Sequence, residues 1–280
     1  MASGSMYTGE VDFRSFALLP DAGLDLLTGA LLIARDAFPA LDPEAESRRL
    51  DALSRPLADR ALEHLPAAAQ ARALRDYLYV VCGFRGNAEN YHDPNNSFLN
   101  VVLDRRLGIP ISLAVVYLEV ARRVGIRARG VGFPGHFLVR IDDGRGMVVA
   151  DPFFGGELLD RDALQGLLRR TSPRLELSDA MLDPVPPRHI VARMLMNLRS
   201  IYAARGDAGR LLLVLDRLVD LMPDAADEIR DRGYLCARLG ARAAALADLR
   251  HYVDVLPHAG DVAEVRRAIG KLEAEPLVSH

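Results

Sequence analysis

The last third of the sequence repeats itself, and this repeat constrains the fold more than any other feature. The segments Asn197–Ala226 and Asp231–Gly260 superpose at an offset of 34 residues. The matched positions are Tyr202 and Cys236, Gly206 and Gly240, Leu215 and Leu249, and Pro223 and Pro257. A glycine between two apolar stretches, with a proline after the second, predicts stacked pairs of antiparallel helices.

A helical repeat of this length is typical of the tetratricopeptide class. We expect Cys236 to pack in a core, because it takes the place of Tyr202 in the preceding unit. A third helix over Asp261–Glu273 would cap the array, which needs a closing surface. The proline-rich link Pro184–Pro187 precedes the repeats, so we place this domain at residues 188–275.

The first ninety residues predict helices, and we assign residues 6–90 to a helical region packed on the core. Apolar residues at helical spacing predict one helix over Leu24–Phe38, capped by Asp21. Two more are predicted over Glu44–Leu53 and Ala67–Cys82. The second of these should end at Gly83, a common helix stop.

Residues 91–180 predict a core of one helix followed by antiparallel strands. Pro110 suits the first position of a helix that runs over Ile111–Val124. Residues 126–132 favour a strand, and two apolar runs flanking Asp142–Gly146 favour a hairpin. A helix followed by a meander, rather than alternating strands and helices, predicts an α+β fold.

The segment between these regions, residues 84–100, is rich in asparagine and predicts turns. It is either a structural loop or the rim of a functional cleft, and its composition favours the structural role. The candidate cleft residues are Tyr91, His92, Asn95, Asn96 and, beyond the loop, Ser112. His92 has an equal alternative, since the Asn-Asn-Ser run also resembles the cap of a helix starting near Ser97.

The hairpin predicts a contact between a histidine and an aspartate. A two-residue turn at Asp143-Gly144 would place Phe137 opposite Ala150 and His136 opposite Asp151. A carboxylate in reach of an imidazole supports nucleophilic catalysis. The alternative is an ion pair at the sheet edge with no chemistry, and spacing alone favours it.

The stretch from Tyr91 to Phe154, with its runs "GIRARGVGFPGHFLVRI" and "VVADPF", resembles the transglutaminase-like core, which is papain-like. The whole arrangement over residues 20–275 more closely resembles the bacterial SirB family, which joins such a core to C-terminal tetratricopeptide repeats. The resemblance implies that His136 and Asp151 match the family's catalytic histidine and aspartate. It also implies that Pro110 stands at the position of the nucleophilic cysteine.

We therefore expect a non-catalytic protein that binds a protein or peptide partner through its cleft and helical repeats. The alternative is an active hydrolase or acyl-transferase of the cysteine-protease type, with Cys82 or Ser112 as nucleophile. Ser112 should face away from His136, two residues beyond Pro110 on the helix, and a helix C-terminus disfavours a thiolate at Cys82. A third possibility is a purely structural role.

Composition and charge limit the classes of partner, the cofactors and the cellular location that we expect. A net charge of −3 argues against a dedicated nucleic-acid binder, and charged residues interrupt every apolar stretch before it could span a membrane. Two cysteines form no disulfide framework or zinc motif, so we expect no metal, no cofactor and a cytoplasmic location. No secretory signal is evident, and Met1–Ser5 is typical of a cloning remnant before a natural start at Met6.

Overall fold

The computed structural model describes residues 12–274 of the chain, so Met1–Ser5 and Met6 lie outside the described residues. The chain divides into two compact units, with the boundary between Met194 and Leu195. Each unit contains a hydrophobic cluster of its own. The domain bounds that we predict, 6–90, 91–180 and 188–275, stay predictions.

Between residue 12 and the start of the helix at Pro187, the structure shows seven α-helices. They are α1 (Phe13–Ala17), α2 (Leu26–Ala37), α3 (Pro43–Ala58), α4 (Ala67–Arg75), α5 (Leu99–Arg105), α6 (Pro110–Arg123) and α7 (Arg161–Thr171). The next helix, α8 (Pro187–Arg205), contains the boundary between the units. Within residues 12–274, none of the helices combines the length and the apolar character needed to cross a bilayer.

Two of the predicted N-terminal helices differ in detail from the structure. Asp21 is not the cap of α2; it begins a short 3₁₀ turn, and Asp25 caps α2 by accepting from the Thr28 amide at 2.9 Å. The predicted helix Ala67–Cys82 is α-helical only to Arg75 and continues as a π-helix over Asp76–Val81. The amide of Cys82 accordingly bonds five residues back, to the Tyr77 carbonyl.

A four-stranded antiparallel sheet forms the other half of the first unit. Its strands lie in chain order as β3 (Ala128–Val131), β4 (Leu138–Asp142), β5 (Met147–Asp151) and β6 (Glu157–Leu159). Helix α6 packs on this sheet and is buried from Pro110 to Ala121. The α+β prediction and the helix start at Pro110 are confirmed, while strand β6 and helix α7 were not predicted.

The predicted register of the β4–β5 hairpin is wrong by two residues. Val139, rather than Phe137, lies opposite Ala150, and the turn has four residues rather than two. The cause is the Asp143 side chain, which accepts from the amides of Arg145 and Gly146 at 2.7 and 2.8 Å and so closes the longer turn. Phe137 and Ala150 are therefore not partners, nor are His136 and Asp151 paired in the sheet.

The second unit confirms the helical repeat. Its helices after α8 are α9 (Ala208–Leu221), α10 (Ala226–Arg238), α11 (Arg242–Val255) and α12 (Val262–Ala274). Helices α9 and α11 start and end at equivalent repeat positions, and Gly206 and Gly240 both have the positive φ of a helix stop. Cys236 is buried as expected, and α12 is the predicted third helix.

Candidate functional site

His136 and Asp151 form a buried pair at one end of the sheet. The imidazole Nε2 lies 2.9 Å from Oδ1 and 2.8 Å from Oδ2 of the carboxylate. Because a carboxylate can only accept, Nε2 carries the shared proton, which leaves Nδ1 of the neutral ring as an acceptor. Within residues 12–274, His136 makes no side-chain hydrogen bond other than this one.

The two partners are positioned by different local structures, which explains how they meet despite the shifted register. Asp151 ends β5, whereas His136 precedes β4 in a turn closed by the bond from its amide to the Phe133 carbonyl at 2.9 Å. Gly135 in this turn has φ +69°, and a side chain there would collide with Thr171. The turn thus directs the imidazole toward the end of the neighbouring strand.

The Asp151 carboxylate also holds the chain that follows it. Its Oδ1 accepts from the amides of Phe153 and Phe154 at 3.0 and 3.2 Å. Its carbonyl accepts from the Gly156 amide at 2.7 Å, which closes the turn into β6. One side chain therefore positions both the imidazole and two consecutive aromatic residues.

Phe153 and Phe154 lie beside the imidazole, and together with Tyr91 and His92 they form a group that we call the aromatic rim. The ring centroids of Phe153 and Phe154 lie 6.2 and 6.0 Å from that of His136. The Tyr91 ring lies 5.9 Å from Phe153 and 5.4 Å from His92. Phe154 is 53% exposed and Tyr91 37% exposed, so the rim presents apolar surface to solvent.

The asparagine-rich loop fixes the backbone of the rim residue Tyr91 through hydrogen bonds. Asn96 is buried, and its amide donates to the carbonyls of Asn90 and Tyr91 at 2.7 and 3.2 Å. The Asn87 amide in turn donates to Asn96 Oδ1 at 2.9 Å. The Asn96 side chain thus makes its hydrogen bonds within the loop, which favours a positioning role over ligand contact.

The predicted helix cap in this loop is wrong. Asp93, rather than the Asn-Asn-Ser run, caps the short turn Pro94–Asn96 by accepting from the Asn95 amide at 3.1 Å. Helix α5 starts later, after Phe98, and has no side-chain cap. His92 is exposed and lies against Tyr91, outside any helix start.

The start of α6 connects to the rim through two glycines. Gly86 of β1 (Arg85–Gly86) lies opposite Gly108 of β2 (Leu107–Gly108) in a short parallel pair. A Cβ on Gly86 would lie 2.6 Å from the Phe153 carbonyl oxygen, and one on Gly108 would lie 2.7 Å from Ser112 Oγ. Only glycine allows these close approaches.

Neither candidate substitute nucleophile contacts the imidazole. The buried Ser112 hydroxyl donates to the Asn96 carbonyl at 2.6 Å and accepts from the Ile109 amide at 3.1 Å. Cys82 is half-buried and lines a cavity to which neither His136 nor Asp151 contributes. Among residues 12–274, no three His, Cys, Asp or Glu side chains lie together as metal ligands would.

Sequence reasoning missed Phe153 and Phe154. The signal that could have found them is the run of two aromatic residues directly after a strand that ends in aspartate. An aspartate at a strand end commonly bonds the amides that follow it, which fixes those residues beside the carboxylate. The same reasoning could have placed them near His136.

The fold and the His–Asp pair define a protein of the transglutaminase-like class, followed by tetratricopeptide repeats. A family model for the transglutaminase-like superfamily matches residues 44–196, and a tetratricopeptide repeat model matches residues 198–270. The chain belongs to the UPF0162 family of this superfamily, and the resemblance to SirB proteins is confirmed. No solved structure gives a significant match.

Three relatives illustrate the extent of the similarity. A UPF0162 protein of Xylella fastidiosa (strain Temecula1) is 39% identical over 275 residues, 96% of this chain and 97% of that protein. UPF0162 protein YchA of Escherichia coli K12 is 28% identical over 249 residues, 89% and 91% of the two chains. Protein SirB1 of Salmonella typhimurium is 29% identical over 213 residues, 75% and 79%.

Proposed function

We propose that this protein is a non-catalytic member of the transglutaminase-like class that binds a protein or peptide partner. The observation that carries the proposal is the exposed aromatic rim around the His136–Asp151 pair. Exposed Phe and Tyr side chains beside a polar group are typical of binding surfaces. The helical repeats contribute to partner binding, as stacked repeats commonly do.

The lack of a nucleophile supports the non-catalytic part of the proposal. By resemblance to the family, Pro110 stands where a catalytic cysteine would begin α6, and proline has no nucleophilic side chain. The Ser112 hydroxyl is bonded to the backbone and Cys82 lines a separate cavity. His136 and Asp151 are then a retained pair that shapes the cleft, with His136 Nδ1 free to accept a hydrogen bond from a ligand.

Site-specific photo-crosslinking in the full-length chain tests partner binding at the rim. With a photoreactive phenylalanine analogue at Phe154, we expect crosslinks to a discrete partner that Tyr91→Ala reduces at least threefold, because the ring beside Phe153 is lost. The matched control places the analogue at Leu18, which is 80% exposed but outside the site. The same products from both positions, or products that Tyr91→Ala leaves unchanged, would contradict the proposal.

An active hydrolase or acyl-transferase of the cysteine-protease type remains the alternative. It requires Cys82 or Ser112 to react with the help of His136 and Asp151. We expect that thiol- and serine-directed probes give no labelling that depends on His136, measured by comparing the native chain with His136→Ala. Labelling of either residue that disappears in His136→Ala would establish the alternative and overturn the non-catalytic proposal.

We also infer a cytoplasmic location and a partner other than nucleic acid. Both cysteines are free in the structure, which fits a reducing compartment. The net charge of −3 gives no basic excess for phosphate contacts. Cell fractionation with an antibody to the native chain tests the location.

A further inference from the structure

A cavity of about 420 Å³ lies apart from the aromatic rim in the first unit. Leu53 of α3 and Leu103 of α5 supply apolar lining, and Tyr77 and Cys82 supply a phenol and a thiol. The guanidinium groups of Arg49 and Arg106 complete it. This combination of apolar surface with a few converging polar groups is typical of small-molecule sites.

The Arg106 side chain is held in one orientation and, among residues 12–274, has no anionic partner. It closes α5 with φ +57°, and its Cζ lies 4.6 Å from the centroid of the buried Phe84 ring. No hydrogen bond or ion pair of its guanidinium occurs in the part of the chain that the structure describes. Because the stacked ring covers one face, the N–H edge stays available and the side chain loses little further freedom on binding.

The other arginine that lines the cavity, Arg49, differs from Arg106 because it already has anionic partners. Arg49 already donates to Glu46 and Asp104, so its charge is balanced within the protein. The Tyr77 hydroxyl donates to the Leu53 carbonyl at 2.7 Å. Burial and the neighbouring Cys82 thiol raise the pKa of Tyr77 to about 12, even though Arg106 and Arg60 act on the hydroxyl in the opposite direction. Arg106 is therefore the guanidinium of this cavity that remains for a ligand anion, and none of the described residues that line the cavity is an aspartate or a glutamate.

We propose that this cavity binds a small organic anion, a carboxylate or phosphate monoester with a short apolar body, and that Arg106 is its main binding group. A planar guanidinium edge matches the paired oxygens of either group. The leucine side chains contact the apolar body of the ligand. This site is independent of the aromatic rim and of the partner-binding proposal.

Cys82 offers a direct readout of occupancy, because its thiol lines the same cavity. The rate of its alkylation by iodoacetamide is measured in the full chain by mass spectrometry, with Cys236, which is 4% exposed, as the internal control. The probes are benzoate, phenyl phosphate and the uncharged benzyl alcohol. At about 10 mM, an anion with a Kd of about 1 mM slows the reaction about tenfold.

We expect benzoate or phenyl phosphate to protect Cys82, benzyl alcohol not to protect it, and Arg106→Gln to abolish the protection. The stronger of the two anions identifies the ligand group. Arg145→Gln, at an exposed hairpin position, is the matched variant and should retain protection. Protection by neither anion, equal protection by benzyl alcohol, or full protection in Arg106→Gln would overturn the proposal.

Discussion

Replacing Asp151 with alanine is expected to lower the free energy of unfolding by about 3 kcal/mol. The substitution leaves the buried His136 Nε2–H without its acceptor and frees the amides of Phe153 and Phe154. Each buried donor left unpaired costs about 1–3 kcal/mol, which sets the size of the loss. Denaturant unfolding of the native chain and the variant measures it.

The matched control is Asp179→Ala, which removes a carboxylate from an ion pair with Arg161. The Asp179 side chain is 87% exposed, so its removal should change stability by less than about 0.5 kcal/mol. Equal effects of the two substitutions would show that the Asp151 carboxylate is not the centre of a buried network. A second readout is crosslinking at Phe154. Asp151→Ala should weaken it, because the amides of Phe153 and Phe154 lose the carboxylate that holds them in position.

Gly86→Ala is expected to destabilise the protein by about 2 kcal/mol and to displace Phe153 from the rim. The added Cβ would lie 2.6 Å from the Phe153 carbonyl oxygen and 2.7 Å from its ring. The carbonyl cannot rotate away without moving the chain that Asp151 holds, so the overlap is relieved by backbone displacement. Unfolding measurements and crosslinking at Phe154 report the two consequences.

Gly146→Ala controls for the general effect of replacing a glycine in this unit. Its added Cβ meets no atom within 4 Å, and its φ lies outside the left-handed region. Its stability should stay within about 0.5 kcal/mol of the native chain. If Gly86→Ala behaves in the same way, Phe153 can move freely and its position does not depend on the glycine.

The repeat and the buried helix could be predicted because their signals are local or periodic. The 34-residue offset defines α9 and α11, and Pro110 with Gly125 brackets α6. The α+β class followed from the order of these elements. Such patterns depend on each segment's own residues and need no knowledge of distant partners.

The site was harder to predict because side chains compete with backbone pairing. Asp143 lengthens the hairpin turn, and a register counted from Asp143-Gly144 is therefore shifted. The His136–Asp151 contact exists nonetheless, since His136 lies in a turn outside β4 and approaches from the strand end. The aromatic rim depends on the tertiary contact between Phe153 and Tyr91, which lies 62 residues earlier in the chain, and no local pattern encodes this contact.

Pro110, which we propose stands at the nucleophile position, lacks more than a reactive side chain. Its ring nitrogen carries no hydrogen, so the residue also lacks the amide donor that a helix start can offer to a developing oxyanion. A thiol added from solution could fill the space of a missing sulfur and would still find no donor at that residue. We therefore expect chemical rescue with small nucleophiles to fail, because at that proposed position Pro110 supplies neither a nucleophilic side chain nor an amide donor.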